Sequence, residues 1–353
     1  MMICMKNLFL ALILLVFLPI TSAFAVKVSS LYEADIPVTA QSDDERDQAA
    51  TAGLIEVLMK VSGDPEVGKN PVIKNAVKRA SYYVQEYSYA TPSASAAQYL
   101  LQIRYDKAGI NNLLKKAGIA YWGESRPLIL AWVASTNDKQ AVEIIGSESP
   151  DTILGMMKDQ GKKYGLPLIF PMMDVDDMNK VSPNDVSTMA LPVLQAAGQR
   201  YMPDALLVGN IQPDGNNGFQ SQWQLVLGED HWDWQIAGKT TNDVVMNMLN
   251  QVSQTLAKHY VVKPTDAPQL WLKLEVANVI QRDDLAQLIQ YLKQLAPVVQ
   301  QVQLMQVNGS QVELSVLVRG SLTTFQEHAS IGNHLQFKSQ DGETNTLLYD
   351  WVH

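Results

Sequence analysis

The chain has 353 residues, of which 47% are hydrophobic and 18% are charged. This length predicts two or three domains, and this composition excludes a disordered chain and a polytopic membrane protein. The 36 Asp and Glu residues outnumber the 27 Lys and Arg residues, and the resulting net charge of −9 disfavours binding to nucleic acid phosphates.

The amino-terminal segment has the pattern of a signal peptide. One cation, Lys6, precedes an apolar run at residues 8–20, and residues 23–25 (Ala-Phe-Ala) supply the small side chains that signal peptidase accepts. The apolar run is shorter than the roughly 20 residues that cross a bilayer. We therefore predict cleavage after Ala25, export to the periplasm and a mature chain without a transmembrane helix. Because Cys4 lies in the leader, we also expect the mature chain to lack disulfides and cysteine metal sites.

Residues 26–122 are predicted to form a small α+β module. The β-branched residues within 26–38 indicate a strand. Ser42 and Glu45 match the S-x-x-E capping box of a helix start, and Gly63 marks the end of that helix. The other predicted elements are a helix over 71–80, a strand over 99–105 and a helix over 106–118.

Residues 123–262 are predicted to form a three-layer α/β module. Near-continuous apolar runs at 128–134, 166–173 and 205–211 are typical of strands that are buried on both faces. Helical stretches separate these runs, so right-handed crossovers would make the three core strands parallel. The remaining predicted elements are an antiparallel β-hairpin over 219–227 and 232–237 and a long helix over 242–260.

Residues 269–353 follow a proline-containing linker at 262–268 and are predicted to form a ferredoxin-like module. The hydrophobic pattern gives the order strand, helix, strand, strand, helix, strand, which is the βαββαβ unit. Asn308 and Gly309 lie between the two central strands, where Asn-Gly favours a tight hairpin. A final apolar segment at 347–352 is expected to add an edge strand.

Five segments, taken in order along the chain, resemble a known family. They are LYEADIPV (31–38), ERDQAATAGLIEVLMKVSG (45–63), RPLILAW (126–132), GLPLIFPMMD (165–174) and RYMPDALLVG (200–209). Together they resemble the proteobacterial family of secreted proteins known only as domain of unknown function number two thousand and sixty-six. The resemblance covers most of the mature chain and implies no activity. The middle module also resembles the small α/β modules of bacterial envelope assembly proteins, at the level of fold alone.

Four aspartates follow the second predicted core strand: Asp174, Asp176, Asp177 and Asp185. Open α/β sheets bind ligands at the carboxyl ends of their strands, so this position indicates a candidate ligand site. A calcium-binding loop needs an oxygen ligand and a glycine where this chain has Met178 and Asn179. We therefore expect a solvated loop whose carboxylates cap the next helix, with a divalent metal site as the alternative.

Common catalytic and cofactor motifs are absent from the sequence. None of the five histidines lies in H-E-x-x-H, and the chain lacks G-x-S-x-G, G-x-x-x-x-G-K-[ST] and a strand-linked G-x-G-x-x-G. We therefore predict no catalytic residue, no metal and no cofactor. A Ser-His-Asp site stays open, because its members need not be close in sequence.

The tryptophans of the predicted hairpin, Trp223, Trp232 and Trp234, are the candidate partner-binding residues. Trp232 and Trp234 are two residues apart and therefore share one strand face. We expect the helix over 242–260 to cover that face, because its apolar residues recur every four positions. The alternative is an exposed pair of indoles that binds sugar rings or a partner protein.

These patterns predict a non-catalytic periplasmic protein that binds or scaffolds other cell-envelope proteins or cell-wall components. The alternative is a hydrolase of cell wall or glycan, with Asp174 or Asp176 as its acid or base. Two carboxylates across a groove would favour the hydrolase, whereas an exposed apolar patch would favour the binding protein.

Overall fold

The computed structural model describes residues 30–90, 99–136, 141–261, 268–341 and 346–352. Within these ranges the protein is a mixed α/β chain with three β-sheets and ten α-helices. The predicted signal peptide and almost all of the predicted linker lie outside the described residues. None of the helices in these ranges combines the length and the apolar character that crossing a bilayer requires.

The elements are named in chain order. The helices are α1 (Asp43–Ser62), α2 (Pro71–Val77), α3 (Lys107–Lys116), α4 (Thr152–Tyr164), α5 (Val175–Lys180), α6 (Pro183–Ser187), α7 (Leu191–Gly198), α8 (Thr241–Tyr260), α9 (Arg282–Gln294) and α10 (Leu322–Ala329). The strands are β1 (Glu33–Val38), β2 (Val84–Ala90), β3 (Tyr99–Tyr105), β4 (Ile129–Thr136), β5 (Val142–Ile144), β6 (Leu168–Ile169), β7 (Ala205–Pro213), β8 (Phe219–Leu227), β9 (Asp230–Gly238), β10 (Gln269–Ala277), β11 (Val299–Asn308), β12 (Gln311–Arg319), β13 (Leu335–Asp341) and β14 (Thr346–Trp351). Strands β3 and β8 begin and end at the predicted residues.

The N-terminal sheet has the order β1-β3-β2, its neighbouring strands are antiparallel, and α1 packs against it. The Ser42 side chain accepts a hydrogen bond from the Glu45 N–H and so caps α1, as predicted. The Glu45 carboxylate, however, accepts from the N–H groups of Thr39 and Ala40. The Ser42 half of the predicted capping box is therefore present, whereas the predicted bond from the Ser42 N–H to the Glu45 carboxylate is wrong. The turn before the helix places the N–H groups of Thr39 and Ala40 within reach of that carboxylate instead. Gly63 ends α1 with a left-handed φ of 69°.

The middle sheet has the order β5-β4-β7-β8-β9, with β6 also paired to β4. Strand β4 is parallel to β6 and β7, whereas β7, β8 and β9 are antiparallel neighbours. Strand β4 is buried on both faces. Ile129, Ala131 and Val133 cluster with residues of α4 and α8, and Leu130 and Trp132 cluster with residues of α6 and α7. We call the end of this sheet where β4 and β7 begin the amino end, and the carboxyl end of the short strand β6, where the chain leaves the sheet, the carboxyl end.

The second predicted core strand is shorter than expected. The apolar run at 166–173 forms ladder pairs with β4 at Leu168 and Ile169 alone. Pro171 has no N–H to donate to a ladder, and Met173 has a left-handed backbone with φ of 54°. The chain therefore leaves the sheet early and turns into a loop at the carboxyl end.

A close contact fixes the centre of the β7–β8 ladder. Gly209 of β7 is paired with Trp223 of β8. A Cβ atom at Gly209 would lie 2.1 Å from Cε3 of Trp223, so only glycine leaves room for the indole. The Trp223 side chain is 1% exposed, and its Nε1 donates a hydrogen bond to Ser221 Oγ at 2.8 Å. Trp223 is therefore part of the core of the middle sheet.

The C-terminal sheet has the order β11-β12-β10-β14-β13. The chain order of its elements is βαββαβ followed by β14. The expectation that the last segment forms an edge strand is wrong, because β14 lies between β10 and β13 and runs parallel to β10. Leu347, Tyr349 and Trp351 alternate along β14 and are buried, whereas β13 is exposed along most of its length. The strand with the buried apolar face is thus paired on both sides, and β13 takes the edge.

Two buried cations join the N-terminal sheet to the amino end of the middle sheet. Arg126 donates hydrogen bonds to the carbonyl oxygens of Gly123, Lys60 and Trp122 at 2.9, 3.0 and 3.2 Å. The Lys60 ammonium group donates to two carbonyl oxygens at the start of β1, at 2.7 and 3.3 Å. Burial lowers the pKa of Lys60 and lowers the pKa of Arg126 to about 9. The backbone carbonyls therefore stabilise two charges that burial disfavours.

Candidate functional site

Asp204 joins the C-terminal sheet to the amino end of the middle sheet. It lies directly before β7, and its Oδ2 accepts a hydrogen bond from the Leu128 N–H at 2.7 Å. Its Oδ1 accepts from the Gly332 N–H, between α10 and β13, at 2.8 Å. Burial raises the pKa of Asp204, although these two hydrogen bonds favour its ionised form. One carboxylate therefore holds backbone from two sheets.

A cleft of about 620 Å³ opens between the middle and C-terminal sheets beside Asp204. Four amide side chains contribute to its wall: Gln195, Gln199, Asn333 and Gln336. The remaining wall includes apolar residues such as Met202 and Val226. None of the site residues predicted from the sequence lines this cleft.

At the carboxyl end, three of the predicted aspartates belong to one charge network. Asp174 caps α5 by accepting a hydrogen bond from the Asp177 N–H at 3.0 Å. The Asp174 carboxylate also accepts from both terminal nitrogens of Arg200, at 2.8 and 2.9 Å. Asp176 pairs with Lys180 at 2.8 Å and with Arg200 at 3.3 Å. Hydrogen bonds from Arg200 lower the pKa of Asp174 to about 2.

Asp177 is the buried member of this network. Its Oδ2 accepts hydrogen bonds from the Met173 N–H at 3.0 Å and from the Tyr201 hydroxyl at 2.5 Å. The Tyr201 oxygen in turn accepts from the Met172 N–H at 2.9 Å. Burial and the contact with Asp177 raise the pKa of Tyr201 to about 12. The loop after β6 is therefore fixed in place by a buried carboxylate and a phenol.

These contacts match the expected capping of the next helix, but the prediction of a solvated loop is wrong at Asp177, which is buried. Asp174 caps α5, and Asp185 forms a reciprocal capping box with Ser182 at the start of α6. In the described ranges, no group of three His, Cys, Asp or Glu side chains is placed to hold a metal ion. A general acid needs a raised pKa, whereas Arg200 keeps Asp174 ionised. The chemistry that the network supports best is the positioning of its own loop.

The sequence indicated the carboxylates but not their partners. Arg200 and Tyr201 lie 26 and 24 residues from the aspartates that they contact, Asp174 and Asp177 respectively. Both partners begin the segment RYMPDALLVG, which carries part of the family resemblance, but nothing in that segment indicates that Arg200 and Tyr201 contact the aspartates.

An apolar surface lies on this network. It consists of Met172, Val175 and Met178, which are 57%, 70% and 59% exposed, and we call it the methionine surface. Val175 and Met178 are three residues apart on α5 and therefore share a helix face. Met172 is held at its backbone by the hydrogen bond to Tyr201. From the sequence, Met172 was predicted to lie in the buried core strand at 166–173, and Val175 and Met178 in the acidic loop that follows it.

The candidate tryptophans lie mainly in the core. Trp232 and Trp234 are half-buried on one face of β9 and pack against the cluster that includes α8, which is the packing predicted from the sequence. The Trp232 ring meets the His259 ring edge to face, with centroids 6.1 Å apart. Trp234 is paired with Trp223, whose ring is buried. A partner-binding role for Trp223 would need an exposed ring, which this packing does not provide.

One family model matches the N-terminal part of the chain. A domain of unknown function, DUF8605, matches residues 25–123, which are 99 of the 353 residues. The match confirms an uncharacterised domain in this part and gives no activity. No curated protein matches the chain.

Solved structures give weak likenesses. They include formyltetrahydrofolate deformylase of Burkholderia mallei (12% identity, 65% of this chain, 95% of that chain, TM-score 0.17), formyltetrahydrofolate deformylase of Pseudomonas putida (10%, 54%, 88%, 0.14) and allophanate hydrolase of Kluyveromyces lactis (11%, 72%, 62%, 0.16). At these TM-scores the likeness supports no statement about the function of this chain.

Proposed function

We propose that this chain is an exported, non-catalytic periplasmic protein that binds or scaffolds other cell-envelope components. The observation that carries the proposal is the methionine surface at the carboxyl end of β6. Single exposed apolar residues are ordinary, but three within seven residues form a patch of the kind that marks interaction sites. Methionine side chains are flexible and polarisable, so such a patch can adapt to the shape of a partner.

The support beneath the surface favours binding as well. Arg200 and Tyr201 tie the loop after β6 to Asp174 and Asp177. A loop that is already ordered loses less conformational entropy when it binds, so more of the contact energy contributes to affinity. The same bonds oppose Asp174 as the general acid of the alternative hydrolase, because a carboxyl group with a pKa of about 2 is not a proton donor near neutral pH.

We further propose three modules over 26–122, 123–262 and 269–353, the last of them ferredoxin-like with β14 inserted between the first and last strands of the βαββαβ unit. Three clusters of buried residues support this division, as does the family match that ends at residue 123. The fragment 269–353 should give a well-dispersed amide NMR spectrum. A collapsed spectrum from a soluble fragment would contradict an independent C-terminal module.

Export is tested by the mass of the protein purified from the periplasm. We expect a mature chain that begins at Val26. An intact leader, lipid on Cys4 or recovery from the cytoplasm alone would overturn the proposed location.

Binding through the methionine surface is tested by photo-crosslinking in intact cells. A photoreactive amino acid at Val175 should give a discrete crosslinked product that requires Met172 and Met178. The matched control is the same label at Ile280, a β-branched residue of similar exposure outside the surface, 75% against 70% for Val175. Equal products from both positions, or no product from Val175, would remove the basis for the proposal.

A further inference from the structure

The C-terminal sheet ends in an edge strand, β11, that has no charged side chain and two irregularities in its pairing with β12. In the described part of the chain, β11 pairs with β12 alone. Natural sheets guard such edges with charged side chains, and the opposite edge, β13, carries Lys338, which pairs with Asp350. Strand β11 has no charged side chain, and no Asp, Glu, Lys or Arg occurs anywhere in residues 294–312.

The core face of this sheet also continues to the β11 edge without cover. Leu304 and Val307 are paired with Leu314 and Val312 of β12, and directly opposite residues share one face. The two β12 residues are fully buried, whereas Leu304 is 46% exposed and Val307 is 51% exposed. The apolar layer that β12 buries is therefore open at the next strand.

We propose that β11 pairs antiparallel with the β11 strand of a second copy of this chain. A twofold axis perpendicular to the sheet would join two five-stranded sheets into one sheet of ten strands. Such an axis keeps the core faces of both copies on the same side. Leu304 and Val307 of one copy then meet the same residues of the other, and the unpaired backbone groups of both edges are satisfied.

Charge favours a second copy over a charged partner strand. The chain carries a net charge of −9, so two copies repel each other wherever their charged surfaces approach. The neutral segment 294–312 is a place where they can meet without like charges in opposition. A charged strand from another protein would find no counter-charge on β11.

The test uses the chain from residue 26, studied by sedimentation equilibrium. We expect a dimer for the unmodified chain. Gln303 is exposed and lies between the two irregularities of the β11–β12 ladder. Gln303→Lys would place two cations in the facing strands, so we expect the dimer dissociation constant to rise at least about tenfold. The matched control, Gln336→Lys on the exposed β13 edge, should remain dimeric, and both variants should keep the melting temperature of the parent.

A second measurement locates the contact. The chain from residue 26 contains no cysteine, so Gln303→Cys should form a disulfide-linked dimer on mild oxidation, whereas Gln336→Cys should not. The proposal is overturned by a monomer at concentrations of about 100 μM, an affinity too weak for a specific dimer. It is equally overturned by a dimer that Gln303→Lys leaves unchanged, or by a monomer that instead binds a strand of another protein.

Discussion

Asp204 and Asp174 stabilise two regions of the middle module, the amino end of the sheet and the carboxyl end of β6, through different partners. Asp204 lies at the amino end and accepts hydrogen bonds from backbone N–H groups of two sheets. Asp174 lies at the carboxyl end, faces solvent and is paired with Arg200. Burial raises the pKa of the first carboxyl, whereas the guanidinium lowers the pKa of the second to about 2.

The difference shows how one residue type serves two purposes in one sheet. At the amino end the carboxylate connects sheets, so its loss should be felt through the whole molecule. At the carboxyl end it positions a loop that carries the methionine surface. Substitutions at the two ends should therefore separate into those that lower stability and those that leave it nearly unchanged.

The largest effect is expected for Asp204→Ala. The change leaves the Leu128 and Gly332 N–H groups without their acceptor, and hydrogen bonds to a charged group contribute roughly 1.5 to 3 kcal/mol each. We expect a loss of about 3 kcal/mol in the free energy of unfolding, measured by urea denaturation. Asp204→Asn keeps one acceptor oxygen and should lose less. Equal stability of the alanine variant and the parent would show that Asp204 does not join the sheets.

A smaller loss is expected for Trp232→Ala, also at the amino end. Full burial of an aromatic ring makes its truncation cost about 3 to 5 kcal/mol, and Trp232 is half-buried, so we expect about 2 kcal/mol. Trp271→Ala, which removes a more exposed indole from the C-terminal sheet, is the control and should cost less. If Trp232→Ala leaves the melting temperature unchanged but abolishes binding to a glycan or protein partner, the hairpin becomes the leading functional site.

Asp174 and Asp204 should make the stability of the protein change with pH in opposite directions in the acid range. A lowered pKa means that Asp174 contributes stability above its ordinary value of 3.8 and loses it as pH falls through about 2. A raised pKa means that the Asp204 contribution falls as pH rises from 3.8 towards the pKa of the folded state.

These slopes are separated by melting temperatures measured from pH 2 to 7. Arg200→Met removes the partner of Asp174 and should therefore flatten the dependence of stability on pH that Asp174 causes. Lys180→Met removes the ion pair with Asp176 and should leave that dependence unchanged. Asp204→Asn should remove the opposite slope. The same pH profile in the parent and in Arg200→Met would contradict the pairing of Arg200 with Asp174.

The smallest effect on stability is expected at the methionine surface. Met172→Ser and Met178→Ser remove apolar atoms that already contact water. The free energy of unfolding should therefore change by no more than about 0.5 kcal/mol, as for a typical surface substitution. Calorimetry checks this expectation. A large loss would mean that the two side chains are part of the core, and the contrast between the ends would fail.

Local signals account for much of what the sequence could predict. Ser42 and Gly63 bound α1 because caps act within one helical turn. A tight turn joins β11 to β12 as predicted, although it consists of Gly309 and Ser310, and Asn308 belongs to β11. The alternation of Trp232 and Trp234 likewise predicted a shared face, because side chains in a strand repeat every two residues.

Features that depend on distant partners were missed. Strand β14 lies inside its sheet because it pairs with β10, more than 70 residues earlier, and no local pattern reports that pairing. Strand β6 is short because the chain turns away at Pro171. Arg200 and Asp204 both lie shortly before β7, yet each acts through contacts that only the tertiary fold creates.

The fit of Gly209 against Trp223 also limits how this sequence can diverge. Any larger residue at 209 would overlap the indole, and any smaller residue at 223 would leave a cavity in the middle of the sheet. Each change alone therefore passes through a less stable protein. Among descendants of this chain, the two positions should either persist together or be replaced together.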